Sequence, residues 1–273
     1  MQLPIYIVDA FADRSLAGNP AAVCPLENWL PVATMQAIAA EMNLSETVFF
    51  APDVAGAYGI RWFTPIREVE LIGHATLAAG YLVLTTLQPD APLVRFRNGG
   101  DEFVVARDGD ALTLEMPSLP PREITPPPGL VEALSAGSLR RPRSVLAAKH
   151  YLCVYERASD IIALTPDMPA LASMPLPAAI VTAPADSVAT GASTERFDFV
   201  SRFFAPANGV PEDAVSGVAH LCLAPYWSQR LGRKKLVGRQ LSARGGTVLC
   251  EDRGTRVRLG GRAALFLEGR IVL

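Results

Sequence analysis

Charge is scarce in this chain and nearly balanced: 19% of its 273 residues are Asp, Glu, Lys or Arg, 25 basic against 27 acidic, for a net of −2. Such a balance offers no basic footprint for a polyanion, which argues against a nucleic-acid partner. The one basic run, from Arg230 through Arg233, Lys234, Lys235 and Arg239 to Arg244, alternates with apolar residues and reads as a solvated face. Histidine and cysteine are rarer, with three and four copies. Cys24, Cys153, Cys222 and Cys250 lie far apart, form no CxxC pair and share no zinc-like spacing with a histidine. They are expected to be reduced, mostly buried thiols, and no metal site is expected. No apolar run approaches a membrane span, and Met1 to Asp9 lacks a basic region with a long apolar segment after it, so a cytoplasmic protein without a membrane partner is expected. Apolar residues are what the chain does have: half of it is hydrophobic, enough for a large core and little disorder.

The strongest pattern is a repeat. Arg61-Trp62-Phe63-Thr64-Pro65 returns as Arg202-Phe203-Phe204-Ala205-Pro206, and Gly73-His74-Ala75-Thr76-Leu77 returns as Gly217-Val218-Ala219-His220-Leu221. The offsets are 202 − 61 = 141 and 217 − 73 = 144, so the second copy carries three more residues between strand and helix. A period this long is a duplicated domain rather than a solenoid. Two related domains imply chemistry in a cleft shared by them.

Apolar runs at Ile5 to Val8, Ala21 to Cys24, Val48 to Phe50, Ile60 to Phe63 and Asp198 to Phe204 predict strands, and Met35, Ile38, Ala39 and Met42 fall on one helical face. Gly73 and Gly217 each open a helix that is apolar nearly all round and therefore buried, running through Leu84 and Tyr226. Pro117 to Pro121 and Pro126 to Gly129 cannot carry a continuous helix or central strand and predict a linker. This places one domain at 1–116, with 264–273 able to join it as a hairpin, and a second at 130–263.

Three residues stand out as chemistry. Glu46 precedes an apolar run, where desolvation would raise its pKa toward neutrality and suit it to exchange a proton, or it is a turn glutamate facing water. His74 lies at a helix start, where free amides favour an anion and an imidazole tends to stay neutral, or it is a core histidine bonded to backbone. Its counterpart is Val218, so the halves are not chemically equivalent. Asp213, beside Glu212 in the lengthened loop, either faces substrate or caps the following helix. Were both helices to aim their N-termini into one cleft, their amides would hold a substrate carboxylate while Glu46, His74 and Asp213 surround its reacting carbon. The string Gly99-Gly100-Asp101-Glu102-Phe103 matches the label of diguanylate cyclases, but an Asn-Gly-Gly-Asp hairpin turn between two strands accounts for it.

Read in order, Asp9-Ala10-Phe11, Gly18-Asn19-Pro20, Asn43-Leu44-Ser45-Glu46-Thr47, Arg61-Trp62-Phe63-Thr64-Pro65, Glu68-Val69-Glu70-Leu71, Gly73-His74-Ala75-Thr76, Arg202-Phe203-Phe204-Ala205-Pro206, Glu212-Asp213, Gly217, Ala219-His220, Gln240, Ser242 and Arg244-Gly245-Gly246 resemble the phenazine-biosynthesis PhzF-like family over essentially the whole chain. That resemblance implies an α/β (α+β) fold similar to diaminopimelate epimerase: two similar domains, each a curved, mostly antiparallel sheet wrapped around a central helix. It implies a homodimer and an isomerase without metal or organic cofactor, acting on a small carboxylate-bearing molecule. The family's founding reaction is the isomerisation of trans-2,3-dihydro-3-hydroxyanthranilate. By position, Glu46 matches the general acid/base, His74 and Asp213 the residues that support the transfer, and Gly73, Gly217 and Val218 positions that bind substrate.

Three departures are visible. Val218 replaces a serine and removes a hydroxyl donor, Ala214 replaces the proline after the aspartate, and Ile72 stands where the family often has cysteine. With Ile72 and Ser216 before the two glycines, the two-thiol chemistry of the related epimerases is not expected. A binding protein on the same fold, its catalysis lost with the serine, is the alternative from another functional class.

Overall fold

The computed structural model describes residues 1–53, 56–70, 72–136, 140–186 and 196–273; Leu71 of the Glu-Val-Glu-Leu motif lies outside them. Along the chain run β1 (Gln2–Ala10), β2 (Asn19–Pro25), α1 (Val32–Met42), β3 (Glu46–Pro52), β4 (Tyr58–Phe63), β5 (Glu68–Val69), α2 (Gly73–Leu82), β6 (Leu93–Asn98), β7 (Asp101–Asp108) and β8 (Ala111–Pro117). There follow β9 (Arg122–Glu123), α3 (Leu130–Ser135), β10 (Ser144–Ala147), β11 (Tyr151–Val154), α4 (Ala158–Ile162), α5 (Met168–Ala172), β12 (Ala179–Pro184) and β13 (Phe199–Phe204). The chain closes with α6 (Gly217–Leu231), β14 (Lys235–Gln240), β15 (Gly246–Asp252), β16 (Arg256–Gly261) and β17 (Ala263–Val272). The chain divides into two compact units, Met1–Met116 with Leu259–Leu273, and Pro117–Arg258.

In the first unit β1 pairs antiparallel with both β17 and β2, β2 runs parallel to β3, and β3 is antiparallel to β4. The sheet packs around α2, whose neighbours are β1, β2, β3, β7 and β17. Nine of the ten α2 residues are buried, as expected of a helix apolar on every side. Its close seat on β7 depends on Gly80: a Cβ there would lie 2.5 Å from the Val105 side chain. The indole of Trp62 on β4 donates to Thr76 Oγ on α2 at 3.1 Å, tying strand to helix inside the core.

The second unit repeats the plan, with β11 parallel to β12, β12 antiparallel to β13, and α6 as its long helix. Trp227 on α6 donates to Thr182 on β12 at 3.0 Å. Pro225 inside α6 has no N–H to give the Leu221 carbonyl. The Leu119 N–H from the proline-rich segment takes that carbonyl at 3.0 Å. The predicted linker is thus partly docked, its backbone filling a hydrogen bond the helix cannot make.

Two further expectations change. Residues 264–273 do not form a hairpin: Ala263–Val272 is one strand paired along β1, because Gly269 sits in extended backbone opposite Ile5 rather than in a turn. Helix α6 continues past Tyr226 to Leu231, where Gly232 closes it at φ 65°. The Gly99-Gly100 string is the tip of the β6–β7 hairpin, with Asn98 facing Asp101. The four cysteines are free and buried, and burial pushes the Cys24, Cys153 and Cys222 thiols up to about 12.

Candidate active site

Parallel pairing of β2 and β3 sets Ala21 opposite Glu46, so the glutamate is the first residue of an interior strand. Upstream, α1 ends at Asn43 in the left-handed conformation, and its N–H closes on the Ala39 carbonyl at 3.2 Å. That sharp end turns the chain directly into Ser45-Glu46. Ser45 Oγ donates toward Asn19 Oδ1 at 3.4 Å, linking the start of β3 to the start of β2. The loop before β2 is closed by the Leu16 N–H on Asp9 Oδ2 at 2.8 Å. At its end Gly18, with φ 64°, lies where a Cβ would be 2.2 Å from the Ala10 carbonyl oxygen, so a side chain is excluded.

His74 is the second residue of α2. The helix opens from Ile72 with no side-chain cap and no acid in its first turn. Its Nε2 is 3.0 Å from Glu46 Oε2, with the two side chains only 4% and 11% exposed. Burial alone would raise the Glu46 pKa, but the charge and contact of His74 together with the Ser45 bond outweigh it, and the carboxyl lies below its ordinary value. The expected raised pKa is therefore reversed: the apolar wall is present, and an imidazole at contact distance overrides it. A buried carboxylate held ionised beside an imidazole is able to accept a proton and to pass it on.

The second unit places Asp213, Gly217 and Val218 on one loop and helix start. Asp213 donates its N–H to the Phe203 carbonyl at 2.9 Å and accepts from Gln240 Nε2 at 2.7 Å through its own carbonyl. Gln240 Oε1 takes the Ser216 N–H at 2.9 Å, and Ser242 Oγ donates to the Ala214 carbonyl at 2.7 Å. Two side chains from the end of β14 and just beyond thus hold the Asp213–Ser216 backbone, and their bonds brace the loop at Ala214. Neither acid caps α6. Ser216 does, accepting the Ala219 N–H at 3.2 Å, while Glu212 makes a bidentate pair with Arg202 at 2.7 and 3.0 Å. Val218 is half-buried and offers no hydroxyl.

The repeat shows which chemistry is unique. Arg61 grips Glu68 through two bonds of 2.6 Å, the counterpart of Arg202 and Glu212, and each guanidinium covers the phenylalanine two residues on. Thr76 and His220, equivalent in α2 and α6, both bond back to the carbonyl before their helix, Ile72 and Ser216, at 2.7 Å. Thr47 faces Phe63 as Ala179 faces the equivalent Phe204, so Glu46 corresponds to Ala178. The Glu46–His74 pair is replaced by Ala178 and Val218. The arginine–glutamate pairs are shared scaffold, whereas the Glu46–His74 contact has no counterpart in the second unit. Asn19, Ser45, Gln240 and Ser242, which shape the two loops, were visible only as motif letters without an assigned role.

The fold defines the class first. A hydroxyproline epimerase from Agrobacterium vitis superposes with a TM-score of 0.57 at 11% identity, covering 99% of this chain and 92% of that one, so the architecture is that of the epimerase-like folds. Residues 8–269 match the phenazine biosynthesis-like protein family, PhzC-PhzF, and the chain belongs to it. An uncharacterized isomerase of Pseudomonas aeruginosa is 45% identical over 273 residues, covering all of both chains. The crystal structure of a PhzF-family phenazine biosynthesis protein from Enterococcus faecalis matches with a TM-score of 0.91 at 38% identity, again over all of both chains. The chain is an isomerase of this family.

Proposed function

We propose that this isomerase moves a proton between carbons of a small carboxylate-bearing substrate without a cofactor, with Glu46 as general acid/base. The observation that carries the reading is the Glu46–His74 pair: a buried carboxylate, kept ionised by an imidazole 3.0 Å away at an uncapped helix start. In this reading Glu46 takes a proton from a substrate carbon and returns it to another. His74 faces the same carboxylate oxygen and supports the transfer, and the Gly73 backbone contributes to holding the substrate carboxylate. On family resemblance Asp213 of the second unit supports the transfer with His74, and Gly217 and Val218 are substrate-binding positions, Val218 having no hydroxyl to donate. The same resemblance supports a homodimer.

The test is proton NMR in D2O with trans-2,3-dihydro-3-hydroxyanthranilate as the first substrate offered, beside Glu46→Gln. Isomerisation or deuterium uptake by the parent, reduced roughly 10²- to 10⁴-fold in the variant, is the expected result. Turnover that survives Glu46→Gln unchanged would remove Glu46 from the role. Binding of the compound by both proteins with no exchange by either would favour a binding protein.

A further inference from the structure

Strand β17 is apolar, and beyond Leu265, whose carbonyl accepts from Ser15 Oγ at 3.2 Å, its second edge carries no paired strand among the described residues. Leu265, Phe266, Leu267, Val272 and Leu273 are 37%, 49%, 39%, 74% and 54% exposed. On one edge the strand pairs with β1, Gly269 opposite Ile5 and Val272 opposite Gln2. Strand β2 occupies the far side of β1, with Val23 opposite Tyr6. Strand β16 ends one residue before β17 begins, too short a connection to fold back alongside it. An edge of this kind is a template for another strand.

We propose that this edge is a docking surface for a second copy of the same chain, added antiparallel about a two-fold axis at Gly269. This deepens the homodimer reading by naming the surface and the register. Residues 266 to 272 spell Phe-Leu-Glu-Gly-Arg-Ile-Val, which is chemically symmetric about its centre. With Gly269 facing Gly269 of the second copy, Glu268 faces Arg270, Leu267 faces Ile271 and Phe266 faces Val272. Acid meets base, and apolar meets apolar.

The backbone selects the same register. Leu273 and Met1 exchange both of their hydrogen bonds, at 2.9 and 2.5 Å, so Ile271 and Gly269 in the alternating ladder also turn toward β1. Glu268, Arg270 and Val272 then present N–H and C=O outward, and the Gly269-centred register sets Glu268 and Arg270 against each other as hydrogen-bonded pairs. A one-residue slip sets outward groups against inward ones. Registers centred on Glu268 or on Arg270 bring that charge against its own copy, which is unfavourable. The ladder's irregularity between Ile7 and Val8 falls at Phe266, at the end of the symmetric stretch.

The experiment combines sedimentation velocity with a cross-link. A Cβ at Gly269 would touch only Leu267 at 3.6 Å and Ile5 at 3.9 Å, ordinary contacts, so Gly269→Cys fits. The four native cysteines are buried. In the non-hydrogen-bonded pair at the axis the two Cα atoms would be about 4.5 Å apart, within disulfide reach. Mild oxidation is expected to link Gly269→Cys into a species of doubled mass, reversed by reductant, whereas Arg270→Cys is not linked. Glu268→Arg and Arg270→Glu each weaken the dimer about tenfold, and the double swap restores it. A dimer that does not link through Gly269→Cys, or that ignores the charge swaps, overturns the strand pairing while leaving the homodimer standing. A monomer at all concentrations overturns both.

Discussion

At Glu46 the competing influences can be ranked. Desolvation is the largest and favours the neutral acid, yet His74 and Ser45 together leave the carboxyl below its ordinary value of 4.5. For stability, a depressed carboxyl contributes above the unfolded value and loses that contribution as pH falls through the folded one. For the proposed activity, the base stays competent to lower pH than an ordinary glutamate. The acid limb of a kcat/KM profile should therefore fall away below pH 4.5, and His74→Ala should move it upward. A limb in the variant identical to the parent's would show that His74 does not set the carboxyl's charge. Sequence made both residues legible as candidates, but not their contact. They are 28 residues apart, and only the parallel register of β2 and β3 around α2 brings them together. The expected pKa had the wrong sign for the same reason, since the apolar run was visible and the imidazole's position was not.

At the scale of elements, the two helices were legible because their apolar residues leave no polar face. What seats them was not. Gly80 looks like a weak point in a helix, yet Val105 on β7 occupies the space its Cβ would need. Gly80→Ala is expected to destabilise by about 1–3 kcal/mol through overpacking despite its gain in helix propensity, and Val105→Ala in the same chain to recover part of that loss. Chemical denaturation with the double-mutant cycle reads the coupling; additive effects would mean that the two do not meet. The cap of α6 shows a related limit. Glu212, Asp213 and Ser216 all suit capping by type, and the choice of Ser216 follows from Arg202 holding Glu212 and Gln240 fixing the backbone. The segment read as a hairpin contains Glu-Gly-Arg, plausible turn letters, but its glycine serves an extended strand.

Across the whole molecule, duplication was the most legible property, because the arginine–glutamate pairs and helix starts that build each unit are written in matching letters. The cores carry a liability in acid. Burial holds His220 down to about 4, against a weaker opposing bond to the Ser216 carbonyl, and holds His150 down to about 4, aided by Lys149. A histidine protonated more readily in the unfolded chain opposes folding increasingly as pH drops from 6.5 toward 4, by about 3 kcal/mol for a fully buried ring. Urea titrations over that window should show falling stability, and His220→Gln should flatten the slope whatever its effect at pH 7; an unchanged slope would mean that His220 is not neutral in the fold. The matched indoles give the duplication an optical consequence. Trp62 and Trp227 are each buried and bonded to a threonine of their own unit, and Trp29 is the remaining indole. Replacing Trp29 and one of the other two leaves a single tryptophan in either half, so with excitation selective for indole over the six tyrosines the halves can be watched separately, without dyes, as they open or respond to a ligand.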